Sequence, residues 1–275
     1  MVELFCDSFD TVPRRIVLDI DDTEDRAYGG QQLSLFNAHH DSRCFMPIHI
    51  YEAISAKPVA VFLRPGKTPD GTEVCLVLRH VVRAIRARWP RVDILIRGDS
   101  HGACPGEGRG RPEAMAWCER NRVGYIFGLA GNKVLLRRVT AEAEQAALDR
   151  LDAPTESKVR RYAEFRYAAR TWTTERRVIA RVEASAQGVD SRFIVTNLAG
   201  LAKSLYEKVY CARGQAENPA FAGAGSDQGS QAASRLGPHL LHQGNRQPVP
   251  PAAPHRRLLA DAHPARTGAE TIVLA

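Results

Sequence analysis

Two acidic residues stand at the ends of apolar runs that have the length and composition of β-strands. Asp21 closes the run that begins at Arg15, and Asp99 closes the run that begins at Val92. Residues typical of turns follow each acid, so both carboxylates are expected to face a cleft. Further along the chain, spacings of three and four residues place one polar and aromatic stripe on a single helix face, formed by Tyr206, Tyr210, Arg213 and Glu217.

Three carboxylates drawn from two strands and a helix form the donor set that a pair of divalent cations requires. Carboxylate oxygens suit Mg²⁺ or Mn²⁺, and two such ions can activate an attacking oxygen and stabilise a leaving oxygen at a phosphodiester. Asp21, Asp99 and Glu217 are therefore the candidate ligands of two metal ions. Asp19 shares a strand face with Asp21 and is the alternative for the first acid.

The order of these motifs resembles that of a known enzyme family. Asp-x-Thr after a strand, then Arg-Gly-Asp-Ser at 97–100, then Tyr-x2-Arg-x3-Glu from Tyr210, is similar to bacterial insertion-sequence transposases of the DDE type. The matching branch has a last motif that reads Tyr-x2-Arg-x3-Glu-x6-Lys. The similarity runs from about Val12 to Asn218 and includes the segments 30–32 and 125–130.

The resemblance implies cut-and-paste DNA transposition with Mg²⁺ or Mn²⁺. Asp21, Asp99 and Glu217 would hold two ions that activate water and then the DNA 3′-hydroxyl. By the same resemblance, Tyr210 and Arg213 would contact DNA phosphate near the cleaved end. The implied partners are double-stranded DNA, as transposon ends and as target, and a second protomer in the family's active complex.

The sequence departs from the family pattern after Asn218. The family's Lys would stand seven positions after Glu217, where this chain has Ala224, and beyond Asn218 Lys, Trp and Tyr vanish while Pro, His, Gly and Ala rise. Codons can be chosen for residues 227–265 so that a neighbouring frame spells a sequence that resembles the family's missing continuation. When that sequence is joined to Glu217 and Asn218 through a single Leu, its second Lys falls seven positions after the Glu. We therefore interpret residues 219–275 as out-of-frame, disordered translation and this copy as inactive; a genuine disordered tail is the alternative.

Two further departures concern the part before Asn218. Residues 102–110 form a longer link than the family has between the second acid and the next helix, so they are expected to be an insertion. The chain also begins close to its first acidic strand, so the family's N-terminal end-binding region is expected to be missing.

Hydrophobic periodicity and turn residues predict the elements that would carry these acids. In chain order, the predicted elements of the core are strand 15–21, strand 44–53, strand 58–63, helix 72–89, a strand ending at Asp99, helix 111–123 and strand 124–130. This order predicts an α/β fold with a ribonuclease-H-like core, a mixed sheet with flanking helices, in which the first and fourth strands carry the first two acids. Strands near 160–169, 176–184 and 192–198 predict a β-rich insertion before the last catalytic helix.

Four regions follow from this order and from the change in composition. They are the first part of the catalytic core at 1–130, the β-rich insertion and return to the core at 131–198, the helix with the third acid at 199–218, and the out-of-frame tail at 219–275.

Other functions compete for the individual motifs. The segment 19–23 also fits the Asp-x-Asp-x-Thr motif of haloacid-dehalogenase-like phosphatases, in which Asp19 would take up a phosphoryl group and Asp21 would act as acid and base. The strand pair before the first helix fits that fold poorly. Arg213 and Glu217 are also spaced like a surface ion pair. A non-catalytic DNA-binding remnant is the third hypothesis.

Composition and charge suit an intracellular protein with a polyanionic partner. The chain has 275 residues, 44% of them hydrophobic, and a formal net charge of +7, which favours DNA moderately. On the predicted helix 72–89, a basic stripe opposite the apolar face is a candidate for phosphate contacts, formed by Arg79, Arg83 and Arg86. The six Cys residues lack the short spacings of a zinc site or a disulfide framework. Without a signal peptide or a membrane-spanning run, the expected location is the bacterial cytoplasm, at the nucleoid, with no membrane partner.

Overall fold

The chain divides into two compact units, residues 1–226 and 227–275. A computed structural model describes residues 1–67, 71–99, 112–153 and 157–215, all of which belong to the first unit. The tail at 219–275 and Glu217 therefore lie outside the described residues. In the described part of the chain, no helix is long and apolar enough to cross a membrane.

An eight-stranded mixed sheet forms the centre of the first unit. Its strands are β1 (Arg15–Asp22), β5 (Ile48–Glu52), β6 (Lys57–Phe62), β7 (Asp93–Gly98), β8 (Gly124–Leu129), β9 (Val159–Tyr167), β10 (Arg176–Ser185) and β11 (Gly188–Thr196). Their spatial order is β6-β5-β1-β7-β8-β11-β10-β9. β1, β7 and β8 run parallel, whereas β5 and β6 pair antiparallel on one side of β1. The predicted α/β fold with a ribonuclease-H-like core is confirmed.

A second, three-stranded sheet lies between the first two core strands in sequence. It consists of β2 (Asp25–Arg26), β3 (Leu35–Asn37) and β4 (Ser42–Phe45), in the order β2-β4-β3. The prediction of one strand over 44–53 is therefore wrong, because β4 and β5 belong to different sheets. The break falls at Met46 and Pro47, where proline has no N–H to donate to a sheet ladder.

The two faces of the large sheet carry different side chains. Successive strand residues point to opposite faces, so Ile16, Leu18 and Ile20 of β1 share one face. They belong to the main apolar cluster together with buried residues of α1 (Val2–Asp7), α2 (Gly71–Arg88) and α3 (Glu113–Arg120). We call this side of the sheet the α2 face. The opposite face of β1 carries Asp19 and is called the Asp19 face.

The region between β8 and β9 contains helices that the sequence analysis did not predict. These are α4 (Lys133–Arg138), whose N-terminus is capped by the Asn132 side chain, and α5 (Thr140–Leu151). Ala146 of α5 is buried in the main cluster. The three strands expected in this region are present, and they extend the large sheet beyond β8 rather than forming a separate layer. β11 begins earlier than expected because a two-residue turn joins Ser185 to Gly188.

The last described segment does not form the continuous α-helix that the residue spacing predicted. Residues Ala202–Ser204 form a short α6, Leu205–Tyr210 form a π-helical turn and Cys211–Gln215 form a 3-10 turn. We call residues 202–215 the docking segment. It packs on the Asp19 face of the sheet, where Leu205 and Tyr206 join a small apolar cluster with Ile126, Ile179 and Ile194.

Candidate active site

The first two predicted acids lie at the carboxyl ends of neighbouring strands. β1 and β7 are parallel and paired from Arg15 with Asp93 to Ile20 with Gly98. Asp21 and Asp99 are the next residues after that last pair, so both stand at the same edge of the sheet, on strands about 4.8 Å apart. Both are partly exposed. The structure therefore brings two of the three predicted carboxylates to one edge.

Asp19, the alternative first acid, is held in a buried ion pair. The Nε and Nη2 atoms of Arg97 donate to its two carboxylate oxygens at 2.6 Å each. Asp19 is 7% exposed and Arg97 is 5% exposed. Because the guanidinium binds both oxygens in a bidentate pair, a metal ion or a phosphoryl group could reach this carboxylate only by displacing Arg97.

The docking segment brings an arginine to the second acid. Nη2 of Arg213 lies 3.7 Å from a carboxylate oxygen of Asp99, and the two side chains are 16% and 25% exposed. At this distance the contact is an ion pair in a partly dehydrated setting, where charges interact more strongly than at the open surface. The structure therefore places Arg213 beside Asp99, and its contact with DNA phosphate stays a prediction.

Two tyrosines of the predicted stripe have different surroundings. Tyr206 is 1% exposed and packs in the small apolar cluster, so it is a core residue and not a site residue. Tyr210 contacts Tyr206 with ring centroids 5.5 Å apart and remains partly exposed. Burial raises the pKa of Tyr210, the nearby Arg213 lowers it and Asp99 raises it. The phenol is therefore neutral at physiological pH and able to donate a hydrogen bond.

The third predicted acid, Glu217, lies outside the described residues, as do Ser100 and the expected insertion at 102–110. Within residues 1–67, 71–99, 112–153 and 157–215, no group of three or more His, Cys, Asp or Glu side chains is placed to hold a metal ion. The described part of the site thus supplies two carboxylates, which are hard oxygen donors of the type that Mg²⁺ or Mn²⁺ prefers. Their chemistry fits such an ion.

The basic stripe of α2 lies away from these acids. Its helix covers the α2 face, whereas Asp19 and Arg97 occupy the other face of the sheet. Arg86 donates to the backbone carbonyls of Asn121 and Arg122 at 2.7 and 3.2 Å, just after the end of α3. Its guanidinium therefore joins two helices, and the structure does not bring Arg79, Arg83 and Arg86 to the candidate site.

Two neighbours of the site, Arg97 and His49, were given no role in the sequence analysis. Arg97 stands two residues before Asp99 on a strand, and this spacing of two could have indicated that both side chains share a face. His49 is the cross-strand partner of Asp21 in the antiparallel β1–β5 pair, and its ring stacks on Tyr51 at a centroid distance of 6.2 Å. Its Nδ1 is buried and has no hydrogen-bond partner in the described part of the chain.

Comparison with known proteins gives a family match over most of the chain. A family model described as "Transposase DDE domain group 1" matches residues 1–220. No curated protein matches the chain.

Among solved structures, one match is the piggyBac transposase in the cryo-EM structure of its synaptic complex with hairpin DNA. It has 8% sequence identity and a TM-score of 0.43, over 74% of this chain and 40% of that protein. The present chain thus spans less than half the length of that transposase.

Proposed function

Because this chain belongs to the transposase DDE domain family, group 1, we propose that it is the catalytic core of a DNA transposase. Its substrates would be double-stranded transposon ends and target DNA, and its reactions phosphodiester hydrolysis and strand transfer. The observation that carries the proposal is the position of Asp21 and Asp99 at the ends of adjacent parallel strands, with Arg213 beside Asp99.

The metal ligands of this site would be Asp21, Asp99 and Glu217. Two Mg²⁺ or Mn²⁺ ions, when bound, would supply activation of the attacking oxygen and stabilisation of the leaving oxygen. The strands position the first two carboxylates rigidly, because β1 and β7 lie in the middle of the sheet and are paired on both sides. Glu217 follows the docking segment by two residues. We assign the first acid to Asp21 rather than Asp19, because Arg97 occupies both oxygens of Asp19.

Tyr210 and Arg213 would bind the DNA backbone near the reacting phosphodiester. The guanidinium of Arg213 presents several N–H donors and lies close to Asp99. When DNA enters, its guanidinium can turn part of its donor set towards a phosphate, for which its planar fork is suited. Tyr210 has a raised pKa, so its hydroxyl stays protonated and can donate to the same phosphate. In the active assembly, two protomers would each bring such a site to a transposon end.

The contacts of Asp19 argue against the phosphatase hypothesis, in which Asp19 is the nucleophile. A phosphoryl-accepting Asp19 would need an accessible carboxylate oxygen, yet both of its oxygens accept hydrogen bonds from a buried arginine. Turnover of a generic phosphomonoester that disappears in Asp19→Asn would favour the phosphatase over the transposase.

We further propose that the present chain is an inactive copy. The family's Lys is missing at Ala224, and the neighbouring-frame sequence of residues 227–265 resembles the missing continuation. The genomic nucleotide sequence around the codon of Asn218 tests this directly. Nucleotides from the codon of Asp227 onward that encode the family's continuation in a neighbouring frame are expected, and nucleotides that give no such continuation would contradict the frameshift.

Metal binding tests the site without requiring activity. Titration calorimetry with Mn²⁺ is expected to detect binding in the full chain, and at least about tenfold weaker binding in Asp21→Ala and in Asp99→Ala, since each removes a charged ligand. Asp93→Ala is the matched control, because Asp93 lies on β7 at the opposite end from Asp99. Equal affinity in all four proteins would refute the site.

DNA binding separates an active enzyme from a remnant. The chain as it stands should bind DNA without sequence preference, with an affinity that falls steeply as salt rises. A gel assay with labelled duplexes that carry candidate ends should show no end-specific cleavage in Mg²⁺ or Mn²⁺. Efficient cleavage at one defined end would overturn the inactive-copy proposal while supporting the transposase assignment.

A further inference from the structure

The buried guanidinium of Arg97 contacts three separate elements. Arg97 lies on β7, and two of its nitrogens bind the carboxylate of Asp19 on β1. Its remaining terminal nitrogen, Nη1, donates to the backbone carbonyl of Val209 in the docking segment at 2.8 Å. One side chain thus joins both acid-bearing strands to the docking segment.

These contacts lie directly next to the candidate site, on the same two strands. Asp21 and Asp99 each follow the paired residues Asp19 and Arg97 by two positions, so they extend the same face towards the edge of the sheet. Val209 directly precedes Tyr210 and stands four residues before Arg213. The bond from Arg97 to Val209 therefore fixes one point of the docking segment beside the two carboxylates.

The docking segment also packs on the sheet through apolar side chains, and the partly buried Val209 and Tyr210 lie against the small apolar cluster. Its buried residues are Leu205 and Tyr206, which pack on β8, β10 and β11. In the described part of the chain, Arg97 of β7 donates to the Val209 carbonyl, and Arg213 lies beside the carboxylate of Asp99, which directly follows β7. The Asp99 contact is longer, at 3.7 Å, so Arg97 provides the shorter and better buried of the two connections.

We propose that Arg97 and Asp19 are positioning residues of the transposase site, which hold the docking segment against the ends of β1 and β7. Asp19 fixes the guanidinium plane by binding two of its nitrogens, and the third nitrogen then reaches Val209 at a fixed point. The inference rests on the proposed function for the identity of the site, whereas the docking itself rests on the contacts alone. It gives Asp19 a role other than metal ligand or nucleophile.

A buried charged pair is a costly way to obtain stability alone. Apolar residues of similar volume often replace such a pair without loss, so stability by itself does not explain its presence here. The geometry of the three donor groups explains the presence of the pair, because a guanidinium holds these groups in one rigid plane. A lysine at position 97 would keep the charge but lose this planar arrangement.

The test compares two buried arginines in the full-length chain. Arg97→Lys is matched with Arg176→Lys, because Arg176 is 3% exposed and forms a bidentate pair with Glu119 of α3, remote from the site. Hydrogen exchange by mass spectrometry would follow peptides that cover residues 205–213, and calorimetry would measure Mn²⁺ affinity. Asp19→Asn serves as a second variant because it keeps the side-chain shape.

In Arg97→Lys and Asp19→Asn, exchange in residues 205–213 should be about tenfold faster or more, as expected when a hydrogen bond to a charged group is lost. Mn²⁺ affinity should fall by a similar factor, and Arg176→Lys should change neither by more than about twofold. Exchange in Arg97→Lys that matches Arg176→Lys would overturn the docking role. Faster exchange with unchanged Mn²⁺ affinity would overturn the positioning role. If the parent chain binds no Mn²⁺, the proposed metal site fails, and the exchange comparison alone decides whether Arg97 docks the segment.

Discussion

The two faces of the large sheet differ in the side chains that the same strands place on them. On the α2 face, β1 contributes Ile16, Leu18 and Ile20 to one continuous apolar cluster covered by helices. On the Asp19 face, the same strand contributes a buried carboxylate and, two residues later, a candidate metal ligand. The apolar cluster of this second face is much smaller and lies towards β8, β10 and β11.

This difference shows how one sheet can separate stability from chemistry. Apolar burial is non-directional and tolerates moderate changes in shape, so the α2 face can hold the strands in place without defining positions for polar groups. The Asp19 face requires defined positions, and it obtains them from directional bonds such as those of Arg97. Mutations on the two faces should therefore differ in kind as well as in size.

The largest expected effect comes from breaking the buried pair on the Asp19 face. Asp19→Ala should lower the free energy of unfolding by about 3–5 kcal/mol, because it leaves the Arg97 charge buried without its carboxylate. Urea denaturation followed by tryptophan fluorescence measures the loss. Asp190→Ala is the control, since its partners Arg181 and Arg192 belong to a more exposed network, and its effect should stay below about 1 kcal/mol. Similar losses of stability in Asp19→Ala and Asp190→Ala would contradict the expected difference between the buried pair and the more exposed network.

A second variant tests the α2 face. Leu78→Ala should cost about 2–5 kcal/mol, since Leu78 is fully buried in the main cluster. Mn²⁺ binding at subdenaturing temperature should be unchanged, because the residue contacts no part of the site. Leu76→Ala, on the exposed side of the same helix, should change stability by no more than about 0.5 kcal/mol. A metal affinity that falls together with stability in Leu78→Ala would show that the faces are not independent.

A matched pair of smaller deletions sharpens the comparison. Ile126 and Ile96 are both fully buried, the first in the small cluster under the docking segment and the second in the main cluster. Each Ile→Val change should cost about 0.5–1.5 kcal/mol. Only Ile126→Val should also speed hydrogen exchange in residues 205–210. Equal hydrogen exchange of residues 205–210 in the two variants would show that the small cluster does not hold the docking segment in place.

The smallest expected effect is a loss of stability at alkaline pH, caused by a tyrosine of β9 that contacts the docking segment. The Tyr162 hydroxyl donates to Glu207 of the docking segment at 2.9 Å, and burial together with this bond raises the pKa of Tyr162 to about 12. A raised pKa means that the stabilisation is fully present below the unfolded value of about 10 and is lost as pH rises through about 12.

Unfolding midpoints measured from pH 9 to 12 should therefore fall more steeply in the parent chain than in Tyr162→Phe. Tyr28→Phe, which removes an exposed tyrosine, should follow the parent. A parent curve that is parallel to that of Tyr162→Phe would exclude a contribution from this hydrogen bond.

The order of the core elements could be predicted from local sequence because each one has a clear period. The apolar alternation of β1 and the apolar stripe of α2 depend on neighbours within a few residues, and both elements lie within a residue or two of their predicted bounds. The prediction of one strand over 44–53 was wrong, although Pro47 was a signal in the sequence for the break between β4 and β5. Asn132 was another available signal, since its side chain caps α4 through the N–H groups of Val134 and Leu135.

The docking segment shows where local periodicity misleads. An α-helical spacing grouped Tyr206, Tyr210 and Arg213 into one stripe, yet the backbone forms a π-helical turn followed by a 3-10 turn. The π-helical geometry is often found near functional sites. Tyr206 is buried in the small cluster and Arg213 reaches Asp99, so one predicted stripe is divided between core and site.

The sequence by itself determined which strands end in acidic residues and which residues could bind metal or DNA, because side-chain type and strand period are local properties. Only the tertiary structure decided that Asp19 pairs with Arg97 and is buried, whereas Asp21 is partly exposed. Asp19 and Arg97 are 78 positions apart, and Arg97 and Val209 are 112 positions apart. Contacts over such separations depend on which strands become neighbours and on where the docking segment packs, and no local pattern of residues encodes that arrangement.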